Sequence, residues 1–172
     1  MVTTASPTCI TGRHRVAERW FAPAGSQFES HNPAKWDEVL GVFPSGTAED
    51  ANEAVAAARE AFPGWRRTSR IRRADLFDNL AQIVKRETDN LAELMARECG
   101  KVVTECRAEV IEGLHMIQYV FGTGRMPIGD VLASEIGEKD AFMRRKPWGV
   151  VAVITPWNFP FAVPLWMLGP SL

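Results

Sequence analysis

GVVAVITPWNFP, Gly149 to Pro160, is the stretch whose reading decides the fold. Val150 to Ile154 is an apolar run of mostly β-branched residues, which suits a strand buried on both faces, as in a parallel sheet covered by helices. It stops at Thr155 in a turn bracketed by Pro156 and Pro160. Polar groups delivered at the C-terminal edge of such a strand are where α/β enzymes place their chemistry, and the polar side chain there is Asn158. On the residues alone Asn158 reads either as a reactive-site donor or as the cap of a helix beginning at Phe159 or Pro160. Trp157, Phe159 and Trp166 likewise read as site walls or as ordinary core aromatics.

Working outward, Pro147 to Leu172 carries no charge and is long enough to span a bilayer. Pro156, Pro160, Pro164 and Pro170 argue against a spanning helix, because each interrupts the next helical turn. Before this stretch, Ala141 to Lys146 (AFMRRK) alternates apolar and basic positions, which predicts an exposed strand of the kind that serves an oligomer interface, within residues 139–148. Gly122-Thr123-Gly124-Arg125 has the opening of a dinucleotide fingerprint but follows a helix, and Pro127 takes the third glycine's place, so it reads as a loop.

Three helices are predicted upstream. Thr47 with Asp50 three residues on forms a capping box for the first, whose stripe is Ala51, Ala54, Val55, Ala58 and Phe62; the run of alanines implies close packing, and Pro63-Gly64 ends it. The second starts near Ser69 with the stripe Ile71, Ala74, Phe77, Leu80, Ala81 and Val84, breaks around Thr88 to Asn90, and resumes through Leu91, Leu94 and Met95 to a glycine stop at Gly100. The third runs from about Val103 to Phe121 on Val103, Cys106, Val110, Leu114, Ile117 and Phe121. Further upstream, Val39 to Phe43 reads as a strand and Ser30 to Ala34 as a turn, since a residue before proline avoids the helical region. Residues 1–20 read as a flexible N-terminal arm, and 21–172 as one domain.

Charge excludes some functions. With 20 basic against 21 acidic side chains and a net charge of -1, neither nucleic acid nor an anionic membrane is an expected partner. Arg66, Arg67, Arg70, Arg72 and Arg73 form the one local excess, read as a solvated helix start rather than a phosphate site. Cys9, Cys99 and Cys106 have no CxxC spacing, and His14, His31 and His115 lie far from them, so neither a disulfide framework nor a metal is expected. Cys106 reads as a small buried hydrophobe; Cys99 sits where a helix C-terminus raises a thiol's pKa and the adjacent Lys101 lowers it, and neither is taken as a nucleophile. Free thiols and the absence of a secretory pattern favour the cytoplasm.

The string ITPWNFP with Trp166 beyond it resembles the signature of the NAD(P)-dependent aldehyde dehydrogenases. Its companions stand in the same order: Asn32-Pro33-Ala34; Gly46-Thr47 leading into Ala54-Val55, Ala57-Ala58, Ala61-Phe62 and Trp65; Arg73 and Leu76; Glu98, Gly100 and Lys101; Glu109-Val110. The resemblance runs from about residue 10 to residue 172. It implies an α/β fold in which this chain holds the N-terminal helical portion and the first strand and helix of a Rossmann-like NAD-binding domain, the cofactor-binding part being incomplete.

The chemistry implied is oxidation of an aldehyde to a carboxylic acid with NAD or NADP, through a cysteine adduct whose oxyanion expels hydride and a thioester released by water. Asn158 matches the side-chain oxyanion donor; Ile154, Thr155, Pro156 and Trp157 match the cofactor cleft; Phe159, Ala162, Val163 and Trp166 match the wall of the aldehyde tunnel. SHNPAKWDEVLGV and PWNFPFAVP are similar to members acting on amino-acid-derived semialdehydes. Family members are several-fold longer and often carry a lysine where Met167 stands. The resemblance places their nucleophilic cysteine and general-base glutamate outside this chain, so the chain is expected to be inactive alone and, as in the family, to belong to a homo-oligomer. The alternative reading is a non-catalytic module that pairs with a full-length subunit through AFMRRK.

Overall fold

The computed structural model describes residues 9–22 and 25–172. Residues 1–8 of the expected arm lie outside them, but the rest of that arm is a set of short strands. β1 (Ile10–Thr11) runs parallel to β5 (Lys35–Pro44), with Ile10 opposite Gly41, and β4 (Gln27–Asn32) runs antiparallel on the other side of β5. β2 (His14–Val16) and β3 (Arg19–Phe21) form a hairpin. The arm's polar residues are the exposed faces of these strands, which is why they read as disordered.

The turn expected over Ser30 to Ala34 narrows to Pro33-Ala34, where the Ala34 N–H donates to Asn32 Oδ1 (2.9 Å), and β5 is twice the expected length. Asn32 Nδ2 donates to Glu38 Oε2 (2.8 Å), and Arg97 Nη2 donates to Glu38 Oε1 (2.5 Å), which ties the sheet to the second helix.

Helix α1 (Ala48–Arg67) begins as expected. The Asp50 N–H donates to Thr47 Oγ1 (3.2 Å) and the Thr47 N–H donates to Asp50 Oδ2 (2.8 Å). The Thr47 N–H foremost, and then the Thr47 hydroxyl, which donates to the same Oδ2 (2.9 Å), hold the Asp50 carboxyl below its ordinary pKa. Pro63 does not end the helix: the position is exposed, so the Arg59 carbonyl it leaves unpaired faces water, and the chain turns only at Thr68, whose N–H and hydroxyl both donate to the Gly64 carbonyl. The alanine stripe is not packed either. No residue of α1 is buried, because no described element covers that face.

Helix α2 (Arg70–Cys99) is continuous through the expected break. There Thr88 Oγ1 donates back to the Val84 carbonyl (2.9 Å), a bond made within the helix rather than in competition with it. It ends at Gly100, with φ 68°, where a Cβ would also stand 2.8 Å from Pro33 Cγ; glycine is required on both counts. Helix α3 (Val103–Thr123) packs along α2, and Phe77, Ala81, Val84, Ala92 and Met95 of α2 meet Cys106, Val110 and Ile117 of α3 in the core. Cys106 is fully buried there. The arginine cluster straddles the α1–α2 junction, where Arg70 donates to the Thr123 and Met126 carbonyls (2.9 and 3.1 Å).

Beyond α3, β6 (Val131–Leu132) and β7 (Ala141–Phe142) form a two-stranded ribbon, extended by reciprocal bonds between Asp130 and Met143 and by the Arg145 N–H to the Ile128 carbonyl. The regular strand therefore covers only the start of AFMRRK. Gly149 to Thr155 is not a strand: no described strand lies beside it, and Ile154 is 91% exposed. An apolar strand needs a neighbour on each edge and cover on each face, and the described residues supply neither.

The final helix, α4 (Ala162–Ser171), packs on α3. Pro164 sits in its first turn, where an N–H has no partner within the helix; Pro170 sits in its last turn and forgoes a single bond, to the Trp166 carbonyl, just before the helix ends. Among the described residues no helix is long and apolar enough to cross a membrane.

Candidate active-site turn

The turn from Trp157 to Phe161 lies between the exposed segment and α4. Its fixed point is Glu109, whose side chain is 1% exposed in the middle of α3. Glu109 Oε1 accepts from the backbone N–H groups of Phe161 (2.9 Å) and Ala162 (3.2 Å), the free donors that open α4. A carboxylate against those donors is favoured by both hydrogen bonding and the helix dipole. Asn158 does not cap this helix. The N-cap residue is Phe161, and Glu109 does from a neighbouring helix what a side-chain cap would do.

Lys101, in the short link between α2 and α3, completes the arrangement. Its Nζ donates to Glu109 Oε2 (2.6 Å) and to the main-chain carbonyl of Asn158 (3.1 Å), and lies 4.3 Å from the centre of the Phe159 ring. The carboxylate beside it raises the Lys101 pKa, so the ammonium persists above the ordinary lysine range. Lys101 and Glu109 stand in the family-like string, but their spacing alone predicts no contact between them. The signal was present: Cys106, Glu109, Gly113 and Ile117 share one helix face, and a glutamate on an apolar face needs a partner.

These contacts form one wall of an open cleft of about 1040 Å³, lined also by Cys99 of α2 and by Trp157, Asn158 and Phe159. Asn158 is exposed and lines the cleft. Trp157 is 84% exposed. Cys99 borders the same space, but burial foremost, and then the charge of Glu98, pushes its thiol up, opposite to what a nucleophile requires. Ile154, Thr155 and Pro156 precede the turn on the exposed segment. Of the residues expected to wall the aldehyde side, Phe159 lines the cleft, Ala162 is fully buried at the start of α4, and Val163 and Trp166 lie farther along that helix.

The chain matches the Aldehyde dehydrogenase family over residues 20–172. It is 37% identical over 151 residues to alpha-ketoglutaric semialdehyde dehydrogenase of Bacillus subtilis, an alignment that covers 87% of this chain and 30% of the relative. Among solved structures it superposes on an aldehyde dehydrogenase of Brucella melitensis biovar abortus (TM-score 0.89, 28% identity, 99% of this chain and 35% of that one). It also superposes on a putative methylmalonate-semialdehyde dehydrogenase of Sinorhizobium meliloti complexed with NAD (TM-score 0.84, 28% identity, 96% of this chain and 34% of that one). The chain thus spans about a third of the length of the relatives it matches. With the whole of α1 to α4 and the Asn158 turn inside the matched region, the chain belongs to the aldehyde dehydrogenase family.

Proposed function

We propose that this chain serves the oxidation of an aldehyde to a carboxylic acid with NAD or NADP, and that its own contribution is the Asn158 amide as oxyanion donor. The observation that carries this reading is the exposed, cleft-lining Asn158 on a turn fixed from behind by Glu109 and Lys101, within the region matched to the family. When a nucleophile attacks an aldehyde, the carbonyl oxygen gathers negative charge, and a donor already in place stabilises that charge without reorganising. An amide NH2 donates without carrying a charge at any physiological pH. Losing one such donor costs roughly 100- to 1,000-fold in turnover, about 3 to 4 kcal/mol.

A nicotinamide cofactor, when bound, supplies the hydride acceptor. Ile154, Thr155, Pro156 and Trp157 would hold it, and the exposed apolar surfaces of Ile154 and Trp157 suit a flat ring. Phe159, Ala162, Val163 and Trp166 would shape the aldehyde side. The substrate class is a semialdehyde, in keeping with what the Bacillus subtilis relative's name states of that protein.

The nucleophile is not among the chain's cysteines: Cys106 is sealed in the core, burial pushes the Cys99 thiol up, and Cys9 is not among the residues lining the cleft, so the chain alone does not turn over aldehyde. Purified chain supplied with semialdehyde and NAD or NADP therefore yields no reduced nicotinamide; an absorbance rise under these conditions contradicts the reading. Assembly is proposed to run through residues 139–148, as a homo-oligomer or by pairing with a longer subunit. Val131 is 85% and Phe142 74% exposed on that ribbon, the apolar surface expected of an interface. Free thiols fit a cytoplasmic setting.

A further inference from the structure

The reading of Asn158 leaves open what keeps a turn of five residues, preceded by an exposed segment, in one place. Its two anchors come from outside the turn and from different elements. Gly100, pressed against Pro33, fixes the link that carries Lys101, and α3 carries Glu109. The ammonium reaches the Asn158 carbonyl and the Phe159 ring, while the carboxylate takes the next two amides, Phe161 and Ala162. Four residues of the turn and helix start are thus held through one ion pair.

Stability of the α2–α3 core does not account for this pair. An apolar side chain of similar volume on the stripe of Cys106, Val110 and Ile117 would pack as well or better, since desolvating an ion pair offsets most of its attraction. What leucine cannot do is dictate where backbone groups sit.

We propose that Lys101 and Glu109 are positioning residues: the ion pair latches the Trp157–Phe161 turn onto α3 and so sets the orientation of the Asn158 amide. This rests on the oxyanion-donor reading for its purpose but not for its test, which uses no aldehyde or cofactor. If Asn158 proves dispensable for turnover, the latch still stands or falls by the measurement below.

The 172-residue chain and its K101M, K101R, E109Q and E109A variants are compared by NMR. Amide exchange is followed at Phe161 and Ala162, with Val110 and Ile117 as core references, together with the order of the Asn158 side-chain amide. Removing a charge-assisted acceptor speeds exchange roughly tenfold or more. E109A should show that rise at Phe161 and Ala162 with the core references unchanged. E109Q keeps a neutral acceptor for the two amides but loses the ion pair, so their protection should stay within about threefold of the parent while Asn158 becomes disordered, as in K101M. K101R should restore Asn158 order.

The proposal is overturned if K101M and E109Q leave Asn158 as ordered as in the parent chain. It is equally overturned if the loss is spread evenly over the turn, Val110 and Ile117, which would make the pair a contributor to general stability only. Should E109A fail to fold, K101M and E109Q decide the matter.

Discussion

Replacing Gly113 by alanine tests how closely α4 must seat on α3. A Cβ at position 113 would lie 2.6 and 2.7 Å from two Phe161 ring carbons and 2.9 Å from Leu165 Cδ1, whereas carbon atoms rest about 3.5–4.0 Å apart. Relief requires a displacement of roughly 1 Å, either of the Phe161 ring or of the whole start of α4. Overpacking of this size costs about 1–3 kcal/mol. Against it stands the gain of about 1 kcal/mol for replacing glycine by alanine within a helix. The net expectation is a loss of about 0–2 kcal/mol.

Gly122, in the same helix, separates the two effects, because nothing lies within 4 Å of a Cβ placed there. G122A should therefore stabilise, by about half the full interior gain since it stands near the helix end, and G113A should fall below it by about 0.5–2.5 kcal/mol. Urea unfolding followed by far-ultraviolet circular dichroism measures both. If G113A stabilises as much as G122A, α4 is not seated on α3 as described, and the geometry of the Asn158 turn falls with it.

Thr47→Ala removes the side-chain acceptor of the Asp50 N–H and should cost about 1 kcal/mol, read as a lower urea midpoint with an unchanged slope. Cys9, which is exposed, should react with iodoacetamide much faster than Cys106, which is fully buried; equal rates in the folded chain would contradict the core assignment. Burial raises the Cys99 and Cys106 thiols above their ordinary pKa, so the folded chain resists ionising them. Their contribution to stability is full below the ordinary thiol range and is lost as pH rises from that range toward the folded values, so the urea midpoint should fall over that window and fall less in the C106A variant.

How far the sequence revealed these features depended on where the deciding interaction lay. The Thr47–Asp50 box and the stripe through Cys106, Val110 and Ile117 were legible because both are written within a few residues of one helix. Pro63 is expected to end a helix and Thr88–Asn90 to break one, and neither does. Whether a missing or competing hydrogen bond breaks a helix depends on exposure and on side-chain direction, which composition does not carry.

GVVAVI records the surroundings a strand would need, but not whether they are present, and here the segment stands exposed. The site was half legible. The Asn158 turn was recognisable as a string, while its anchors, 57 and 52 residues away at Lys101 and Glu109, required the fold to bring them together. The clue that went unused was a glutamate on an apolar helical face.

The most direct test of the central claim, that Asn158 donates to the oxyanion, is a chimera. Residues 1–172 replace the matching third of the Bacillus subtilis semialdehyde dehydrogenase, which supplies the remainder of that enzyme, and kcat is measured with and without Asn158→Ala. The account predicts a fall of roughly 100- to 1,000-fold with the fold intact. A kcat within about threefold of the parent chimera would contradict it.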